Sequence, residues 1–437
     1  MSTWQRIIND AITVPATQAR TALPLLGNLL EWYDFAIYGY LAQALGDAFF
    51  PSESNSAALL SSFAVFAVGF LMRPIGSLVL GPLADLYGRR RMLLLSLTLM
   101  GGSSLLIGLL PTRLQWGETA TVLLVLLRMV QGFSVGGEYT GSIAFTAELT
   151  SADRRGLMCS FTSSGAQIGI ALASLVVAGC SALLGEQALM EWGWRLPFLM
   201  GSSLLVLPVW MQHRLPETLE IPARPETASQ ARHWLHALGT QLQTLVEHRR
   251  LLVQVMALVC TSNVVFYLLY VFLVTHSSQS PADGVAARTI TSAVQLFGIG
   301  ITTLAGWLVD RYGLIRINGV GTAAMVATSL PALAIGLQGS PVTLLIALSL
   351  ATPALMLILG SQGLLGVTIA PLEQRCGVFS IAYSTSVALC GGTAPLIATW
   401  MVDQNVPYGT IALYPLPFAA ATCWALWRAR GRSSHDF

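Results

Sequence analysis

The sequence predicts an all-α membrane protein whose twelve transmembrane helices form two pseudo-symmetric six-helix bundles. Composition is the first observation: 54% of the 437 residues are hydrophobic and 10% are charged, against about 25% charged residues in soluble domains. The second is a series of apolar stretches, each near the length of about 20 residues that a helix needs to cross a bilayer. The third is a short motif that occurs once in each half of the chain.

The apolar stretches fall into two sets of six. The first set lies at 21–45, 57–80, 92–111, 119–147, 156–184 and 194–212. The second set lies at 250–276, 286–309, 317–337, 342–369, 377–402 and 408–427. Three prolines and most of the histidines fall between the sets, which is typical of a linker. The predicted organisation is a tail (1–20), a first bundle (21–212), a linker (213–249), a second bundle (250–427) and a second tail (428–437).

The repeated motif follows the second helix of each bundle. GPLADLYGRRR begins at Gly81 and GWLVDRYGLIR begins at Gly306, so the halves are predicted to be copies of one unit. Glycine allows tight turns and close contacts, and an aspartate is stabilised at the N-terminus of a neighbouring helix. The second copy lacks two of the three consecutive arginines, and we expect a weaker contact there. The predicted gating residues are Gly81, Asp85, Gly88, Arg89, Arg91, Glu148, Asp310, Gly313 and Arg316.

The distribution of arginine predicts the orientation of the chain, although the net charge of +2 indicates little. All 23 basic residues are arginine. With an even number of helices both termini lie on one side, which collects eighteen arginines; only Arg113, Arg195 and Arg288 lie opposite. Since basic residues favour the cytoplasmic side, we expect both termini and the linker in the cytoplasm and the chain in the cell (inner) membrane. No cleaved signal peptide is indicated.

Five ionisable side chains lie well inside helices of the first bundle, namely Glu31, Asp34, Arg73, Arg128 and Glu138. A charge at the centre of a bilayer costs about 2.5–3.5 kcal/mol even on the most lenient scale, so we expect these groups to pair around a water-filled cavity. Helices of the second bundle carry almost no charge at this depth. We therefore hypothesise that the first bundle handles protons and charge, while the second contributes shape and aromatic contacts.

These groups suggest two kinds of role. Buried carboxylates can carry protons, and the predicted proton-coupling residues are Glu31, Asp34 and Glu138, with pairing for folding as the alternative. A guanidinium group matches a carboxylate with two parallel hydrogen bonds. The predicted substrate-binding residues are Arg73, Arg128, Gln131, Tyr38, Tyr267, Tyr270 and Tyr383. Core packing is the alternative for Tyr267 and Tyr270, and Arg73 could instead cap a helix break at Pro74.

Six segments together resemble the metabolite:proton symporter branch of the major facilitator superfamily. They are GNLLEWYDF at 27–35, GFLMRPIGS at 69–77, GPLADLYGRRR at 81–91, RMVQGFSVGGEYTG at 128–141, WGWRLPF at 192–198 and GGTAPLIATW at 391–400. The resemblance implies import, with protons, of a small metabolite such as citrate, 2-oxoglutarate, shikimate, proline or a betaine. It also implies alternating access about a site at the middle of the membrane, and docking of Asp85 at the eleventh helix.

Other classes of function lack their motifs. No HExxH, GxSxG or nucleotide-binding GxxxxGK[ST] sequence occurs, and the six cysteines have no metal-binding spacing. We therefore expect a protein that is not an enzyme and has no cofactor, metal or nucleic-acid partner; its partners are a small molecule, protons and the bilayer, and it acts as a monomer. Only ten residues follow Trp427, without heptads, which favours an organic anion over an osmosensing betaine carrier. Efflux by proton antiport is the alternative.

Overall fold

The computed structural model describes residues 16–52, 54–87, 89–205, 230–278, 280–369 and 375–429. Within these ranges the chain is helical between short turns, and no strand occurs there. The helices of the first half are α1 (Ala16–Tyr40), α2 (Ala42–Phe49), α3 (Asn55–Tyr87), α4 (Arg89–Leu109), α5 (Glu118–Ser134), α6 (Glu138–Leu149), α7 (Arg155–Leu184) and α8 (Arg195–Gly201). Those that follow are α9 (Gln230–Glu247), α10 (Arg249–Tyr267), α11 (Leu273–His276), α12 (Pro281–Tyr312), α13 (Leu314–Gly336), α14 (Pro341–Ile369), α15 (Arg375–Ser386), α16 (Ala394–Asp403) and α17 (Leu416–Ala429).

The described residues of all twelve predicted stretches are mainly helical. In the described part of the chain, nine helical segments are long and apolar enough to cross a membrane, and a shorter apolar helix covers Leu94–Leu109. The lengths of these segments match the thickness of the hydrocarbon layer. They are helical because backbone polar groups in lipid must be satisfied within the segment. The prediction of an all-α membrane protein is confirmed.

Several of the crossing segments are interrupted where the sequence predicted continuous helices. Residues 135–137 separate α5 from α6, and Gly137 there has a φ of 99°, a left-handed conformation that glycine adopts without a steric penalty. Wider π-helical turns at Leu268–Phe272 and Val387–Gly392 connect α10 to α11 and α15 to α16. Such turns are frequent at functional sites, and these two lie beside the cluster described below.

The predicted linker contains a helix that the sequence analysis did not identify. Helix α9 covers Gln230–Glu247. Its Gln241 lies beside the first copy of the repeated motif, since a Cβ placed on Gly81 would be 3.6 Å from the Gln241 amide nitrogen. The same nitrogen would lie 3.8 Å from a Cβ on Gly377, near the start of α15. Helix α9 therefore packs against both halves of the protein.

Small residues allow the helices to pack closely. A Cβ on Gly132 of α5 would lie 1.7 Å from the Gly69 carbonyl oxygen of α3, so the two backbones touch. Between the halves, a Cβ on Gly156 of α7 would lie 2.5 Å from the Gly306 carbonyl oxygen of α12. Close approach of small residues is the usual basis of helix association in membranes, and here it brings the polar ends of α7 and α12 together.

Candidate functional site

Glu31 and Arg73 form a buried ion pair between α1 and α3. The Arg73 Nη2 group donates a hydrogen bond to Glu31 Oε1, and the side chains are 1% and 0% exposed. The guanidinium carbon lies 5.0 Å from the centre of the Phe35 ring and 5.4 Å from that of Trp32. The Nε and Nη1 atoms of Arg73 and the Oε2 atom of Glu31 have no hydrogen-bond partner among the described residues. The pair is thus buried but only partly satisfied.

A second polar cluster joins α1, α4 and α5. The Gln131 amide oxygen accepts from Arg128 Nη1 at 2.8 Å, and its nitrogen donates to Asp34 Oδ2 at 2.5 Å. The same nitrogen lies 2.7 Å from the Ser104 hydroxyl, which donates to Asp34 Oδ1. All four side chains are buried. Gln131 therefore connects the acid to the arginine, and its own polar atoms are occupied.

Arg128 lies over aromatic rings on α1 and α3. Its guanidinium carbon is 4.3 Å from the centre of the Tyr38 ring, 5.0 Å from that of Phe35 and 6.0 Å from that of Phe66. The Tyr38 hydroxyl donates to the Ser62 carbonyl at 3.3 Å. In the part of the chain that the structure describes, Arg128 Nε and Nη2 have no partner. Since Arg73 also contacts Phe35, the two arginines share one aromatic cluster.

Two of the three predicted tyrosines of the second half complete this cluster. The ring of Tyr267 lies 5.3 Å from Phe70 and 5.9 Å from Phe66, and its buried hydroxyl has no partner within the described ranges. The ring of Tyr383 lies 5.0 Å from that of Tyr139. These contacts cross between the halves and place Tyr267 and Tyr383 against the aromatic residues that surround the two arginines.

Tyr270 is placed differently. Its ring packs on Phe266 at 5.1 Å, and its hydroxyl is hydrogen-bonded to Thr352 at 2.6 Å. Both neighbours belong to the second half. The hydroxyl is already occupied, which favours the packing alternative for this residue.

Sequence reasoning did not select several residues of the site. Trp32, which contacts both Arg73 and Tyr139, stands inside the first quoted motif beside Glu31. Ser104 carries no signal of its own in an apolar helix. Asn263 lies on the same face of α10 as Tyr267, four residues earlier, and its amide nitrogen is buried without a partner in the described chain. A helical projection around Tyr267 would have identified it.

Several predicted residues lie outside the described part or away from the cluster. The side chains of Asp85, Arg89 and Glu138, and Gly88 as a whole, lie outside the described residues. Gly81, Arg91, Glu148, Gly313 and Arg316 are exposed, and the three charged ones form no ion pair within the described ranges. No group of three or more potential metal ligands occurs in the described chain.

The aspartate of the second motif copy caps a helix of the opposite half. Asp310 Oδ1 accepts from the backbone N–H of Gly156 at 2.6 Å, and Oδ2 accepts from that of Leu157 at 2.9 Å. Both amides belong to the first turn of α7, where unpaired N–H groups favour a negative charge. This contact joins the two halves at the end of the molecule where Arg154, Arg155 and Arg311 lie, here called the arginine-rich end.

A separate contact joins the other ends of α7 and α12. Arg288 Nη2 lies 2.5 Å from Glu186 Oε2 and 3.3 Å from the Ser181 hydroxyl. The Ser174 hydroxyl donates to the Arg288 carbonyl at 2.8 Å. The sequence analysis placed Arg288 at this end but assigned it no partner. Both ends of the α7–α12 interface are therefore closed in the structure.

Comparisons with known proteins agree with this architecture. A model of the Major Facilitator Superfamily matches residues 25–395. The glycine betaine/proline/ectoine/pipecolic acid transporter OusA of Dickeya dadantii is 34% identical over 91% of this chain and 80% of its own length. The proline/betaine transporter of Salmonella typhimurium is 34% identical over 87% and 77%. The citrate-proton symporter of Klebsiella pneumoniae is 31% identical over 92% of this chain and 90% of its own length.

Solved structures show the same fold. The xylose transporter XylE from E. coli, in a partially occluded inward-open conformation, aligns with a TM-score of 0.69 at 18% identity, covering 94% of this chain and 96% of that one. A proton:xylose symporter bound to 6-bromo-6-deoxy-D-glucose aligns with a TM-score of 0.70 at 20% identity, covering 94% of each chain. The predicted arrangement of twelve membrane helices in two halves is confirmed.

Proposed function

Because this chain belongs to the Major Facilitator Superfamily, we propose that it is a secondary transporter that imports a small carboxylate-bearing metabolite together with protons. It does so by alternating access, with one end open at a time. The observation that carries the proposal is the pair of buried arginines, Arg73 and Arg128, which share an aromatic cluster between the halves and keep N–H groups unpaired.

The unpaired groups define the chemistry of the substrate. A buried donor without a partner costs about 1–3 kcal/mol, and more when it is charged. A carboxylate would satisfy the free edge of Arg73 or Arg128 with two short hydrogen bonds. The substrates named for the relatives, betaine, proline and citrate, all carry carboxylates. The free Glu31 Oε2 atom and the neighbouring ring of Trp32 could in addition hold a positive group, so the site suits a zwitterion as well as an anion.

Proton carriage is assigned to the buried acids beside these arginines, Glu31 and Asp34, together with Glu138. Each of the first two is linked to one arginine, Glu31 directly and Asp34 through Gln131. Neutralising an acid removes a negative charge that competes for its arginine, and therefore makes that arginine more available to a substrate carboxylate. This linkage supports coupling in the first bundle, with the second bundle supplying Tyr267 and Tyr383.

Gating is assigned to the two contacts between α7 and α12, the Asp310 cap and the Glu186–Arg288 pair. The arginine-rich end is proposed to face the cytoplasm with both termini, in the cell membrane, because basic residues favour that side. The two bundles, 21–212 and 250–427, move relative to each other within a monomer.

Uptake by proteoliposomes tests the proposal. Purified protein is given labelled glycine betaine, proline or citrate under a pH gradient of either sign. Accumulation with the inside alkaline supports symport, whereas accumulation only with the inside acid supports antiport and therefore efflux. Arg128→Gln should weaken substrate binding about 100-fold, since it removes hydrogen bonds from a charged donor worth about 1.5–3 kcal/mol each. Arg113→Gln, at an exposed ion pair with Glu118, is the matched control, and equal loss in both variants would contradict a binding role.

A further inference from the structure

The cluster around Asp34 has a fixed hydrogen-bond polarity at one end. Arg128 can only donate, so the part of the Gln131 amide that faces it must be the oxygen, as observed at 2.8 Å. The amide nitrogen then necessarily points toward Asp34 and Ser104. Turning the amide over would set its NH2 group against the guanidinium N–H groups. Gln131 is therefore locked as a donor toward Asp34.

This polarity suits an ionised Asp34 and creates a difficulty for a protonated one. In the structure both carboxylate oxygens accept, one from Gln131 and the other from the Ser104 hydroxyl. When Asp34 takes up a proton, one of its oxygens becomes a donor and needs an acceptor. Gln131 cannot provide one without losing Arg128.

The Ser104 hydroxyl is the member of the cluster that can change its role. A hydroxyl has one hydrogen that rotates and two lone pairs. One lone pair already accepts from Gln131, and the other is free to accept from a protonated Asp34. The serine hydrogen can then turn to the carbonyl four residues earlier in α4, a common bond for serine in helices, which here belongs to Met100.

We propose that Ser104 is a positioning residue for proton coupling: its hydroxyl changes from donor to acceptor when Asp34 binds a proton, so that Gln131 stays bonded to Arg128 in both states. The proton itself moves between water and the Asp34 carboxyl, and none passes through the serine. This inference rests on the proposed proton-coupled transport. It adds the means by which Arg128 keeps its orientation toward the substrate while Asp34 changes charge.

Among the described residues, few other ionisable groups face Asp34 from the helices around α1. Arg128 of α5 is the charged one there, α4 contributes the neutral Ser104, and Arg73 of α3 is paired with Glu31 instead. The neighbouring Tyr33 donates to the Pro197 carbonyl of α8 at 2.9 Å, and α8 faces Asp34 with Gly201, whose added Cβ would lie 3.2 Å from Oδ1. Cys180 of α7 lies near Tyr33. The pH response assigned to this cluster therefore depends on Asp34, on its two hydrogen-bonded neighbours Ser104 and Gln131, and on Arg128, which is bonded to Gln131.

Ser104→Ala tests the proposal, with Ser104→Thr as the variant that keeps a hydroxyl. Ser103→Ala is the matched control, because Ser103 is the adjacent buried serine and its hydroxyl bonds only to the Leu99 carbonyl of its own helix. Two rates are measured in proteoliposomes for each variant. One is uptake driven by a pH gradient, recorded over a series of pH values. The other is exchange of labelled for unlabelled glycine betaine, proline or citrate at equal pH, which needs no net proton movement.

In Ser104→Ala gradient-driven uptake should fall and its midpoint should move up by about one pH unit. Exchange, repeated at the same series of pH values, should fall most at the lowest ones, where a protonated Asp34 has no acceptor other than Gln131. The upward direction follows because the lost bond is stronger to the ionised acid than to the neutral one. Ser104→Thr should restore the midpoint, and Ser103→Ala should leave it unchanged.

An unchanged midpoint in Ser104→Ala would overturn the proposal. An equal loss of exchange at high and low pH would also overturn it, since Ser104 would then act in substrate binding or folding whatever the charge of Asp34. A folded Ser104→Thr protein that fails to restore the midpoint would do the same. If the unmodified protein showed exchange but no dependence on a pH gradient, the proposed symport would fail first, and the role of Ser104 with it.

Discussion

Replacing Asp310 with alanine should open the arginine-rich end of the protein. In the structure the Asp310 carboxylate accepts two hydrogen bonds from the first turn of α7, at 2.6 and 2.9 Å. Alanine removes both bonds and leaves the Gly156 and Leu157 amides to water. The perturbation acts on one state only, because these bonds can form only while this end is closed.

The structure gives a magnitude for this effect. A hydrogen bond to a charged group contributes about 1.5–3 kcal/mol, and the lower value or less applies because Asp310 is half-buried and screened by water. Two bonds at about 1 kcal/mol each, with up to about 1 kcal/mol from the charge at the helix N-terminus, give about 2–3 kcal/mol. At about 1.4 kcal/mol for each factor of ten, the population open at this end should rise about 30- to 150-fold relative to the closed one.

Distances between spin labels measure this population. Labels on cysteines introduced at Ser151 and Tyr312, both exposed at the arginine-rich end, would report separation of the two halves in a background without the native cysteines. Asp310→Asn should give a smaller shift than Asp310→Ala, because the amide oxygen still accepts one bond. Asp153→Asn removes a fully exposed charge nearby and should leave the distances unchanged. A folded Asp310→Ala protein with the unmodified distance distribution would refute the reasoning.

Three further outcomes follow from the same contacts. Gly132→Ala should lower the melting temperature of the purified protein, because the new Cβ would lie 1.7 Å from a backbone oxygen of α3. Gly102→Ala, whose Cβ would have nothing within 4 Å, should leave the melting temperature unchanged. Equal melting temperatures of the two variants would contradict the packing argument. Arg288→Gln should increase the reaction of a thiol reagent with a cysteine introduced at the end opposite the arginine-rich end, because it removes the charge partner of the partly buried Glu186. Unchanged reaction would argue against a gate there. Tyr270→Phe should lower stability by about 1 kcal/mol and leave substrate affinity unchanged; a large loss of affinity in a binding assay would restore the predicted role in the site.

The fold could be predicted because the membrane restricts the structures that a chain can adopt. Only helices of a certain length satisfy their backbone in lipid, so the apolar stretch at 342–369 and the helix Pro341–Ile369 almost coincide. The break at Gly137 could not be predicted in the same way. A glycine within a helix is common in membranes, and its left-handed φ depends on how α3 and α15 pack around it, with Ser380 2.7 Å from an added Cβ.

The site could be predicted in part. Buried charges are costly, so Glu31, Asp34, Arg73 and Arg128 were identifiable from position alone. Their partners were not, because helical periodicity shows which residues share a face and not which helices are neighbours. Ser104 is the clearest case, since it acts through α1 and α5, which are distant in sequence.

The two ends of the protein show a related limit. Asp310 binds backbone amides, which leave no trace in a pattern of side chains. The missing arginines of the second motif copy predict a weaker contact there than at the first copy, and this stays a prediction because the Asp85 side chain lies outside the described residues. The contact that Asp310 makes depends instead on the unpaired N–H groups at the N-terminus of α7. A comparison of the two motif sequences could not reveal the Asp310 contact, because its partner is the backbone of the other half.

The α7–α12 interface suggests how one interface can serve both gates. Between the Asp310 cap at one end and the Glu186–Arg288 pair at the other, the hydroxyls of Ser164 and Thr303 lie 3.4 Å apart, about a third of the way along the two helices from the Asp310 end. A rocking motion about a point between the two ends would separate one end while keeping the other closed, since helices pack as rigid bodies. Opening either side then costs only the bonds at that side. In this proposed gating, the preference between the two open states is set by a difference in free energy between two contacts. One is the Asp310 carboxylate on two backbone amides, and the other is the Glu186 carboxylate on Arg288. A substrate needs to shift that free-energy difference by only a few kcal/mol.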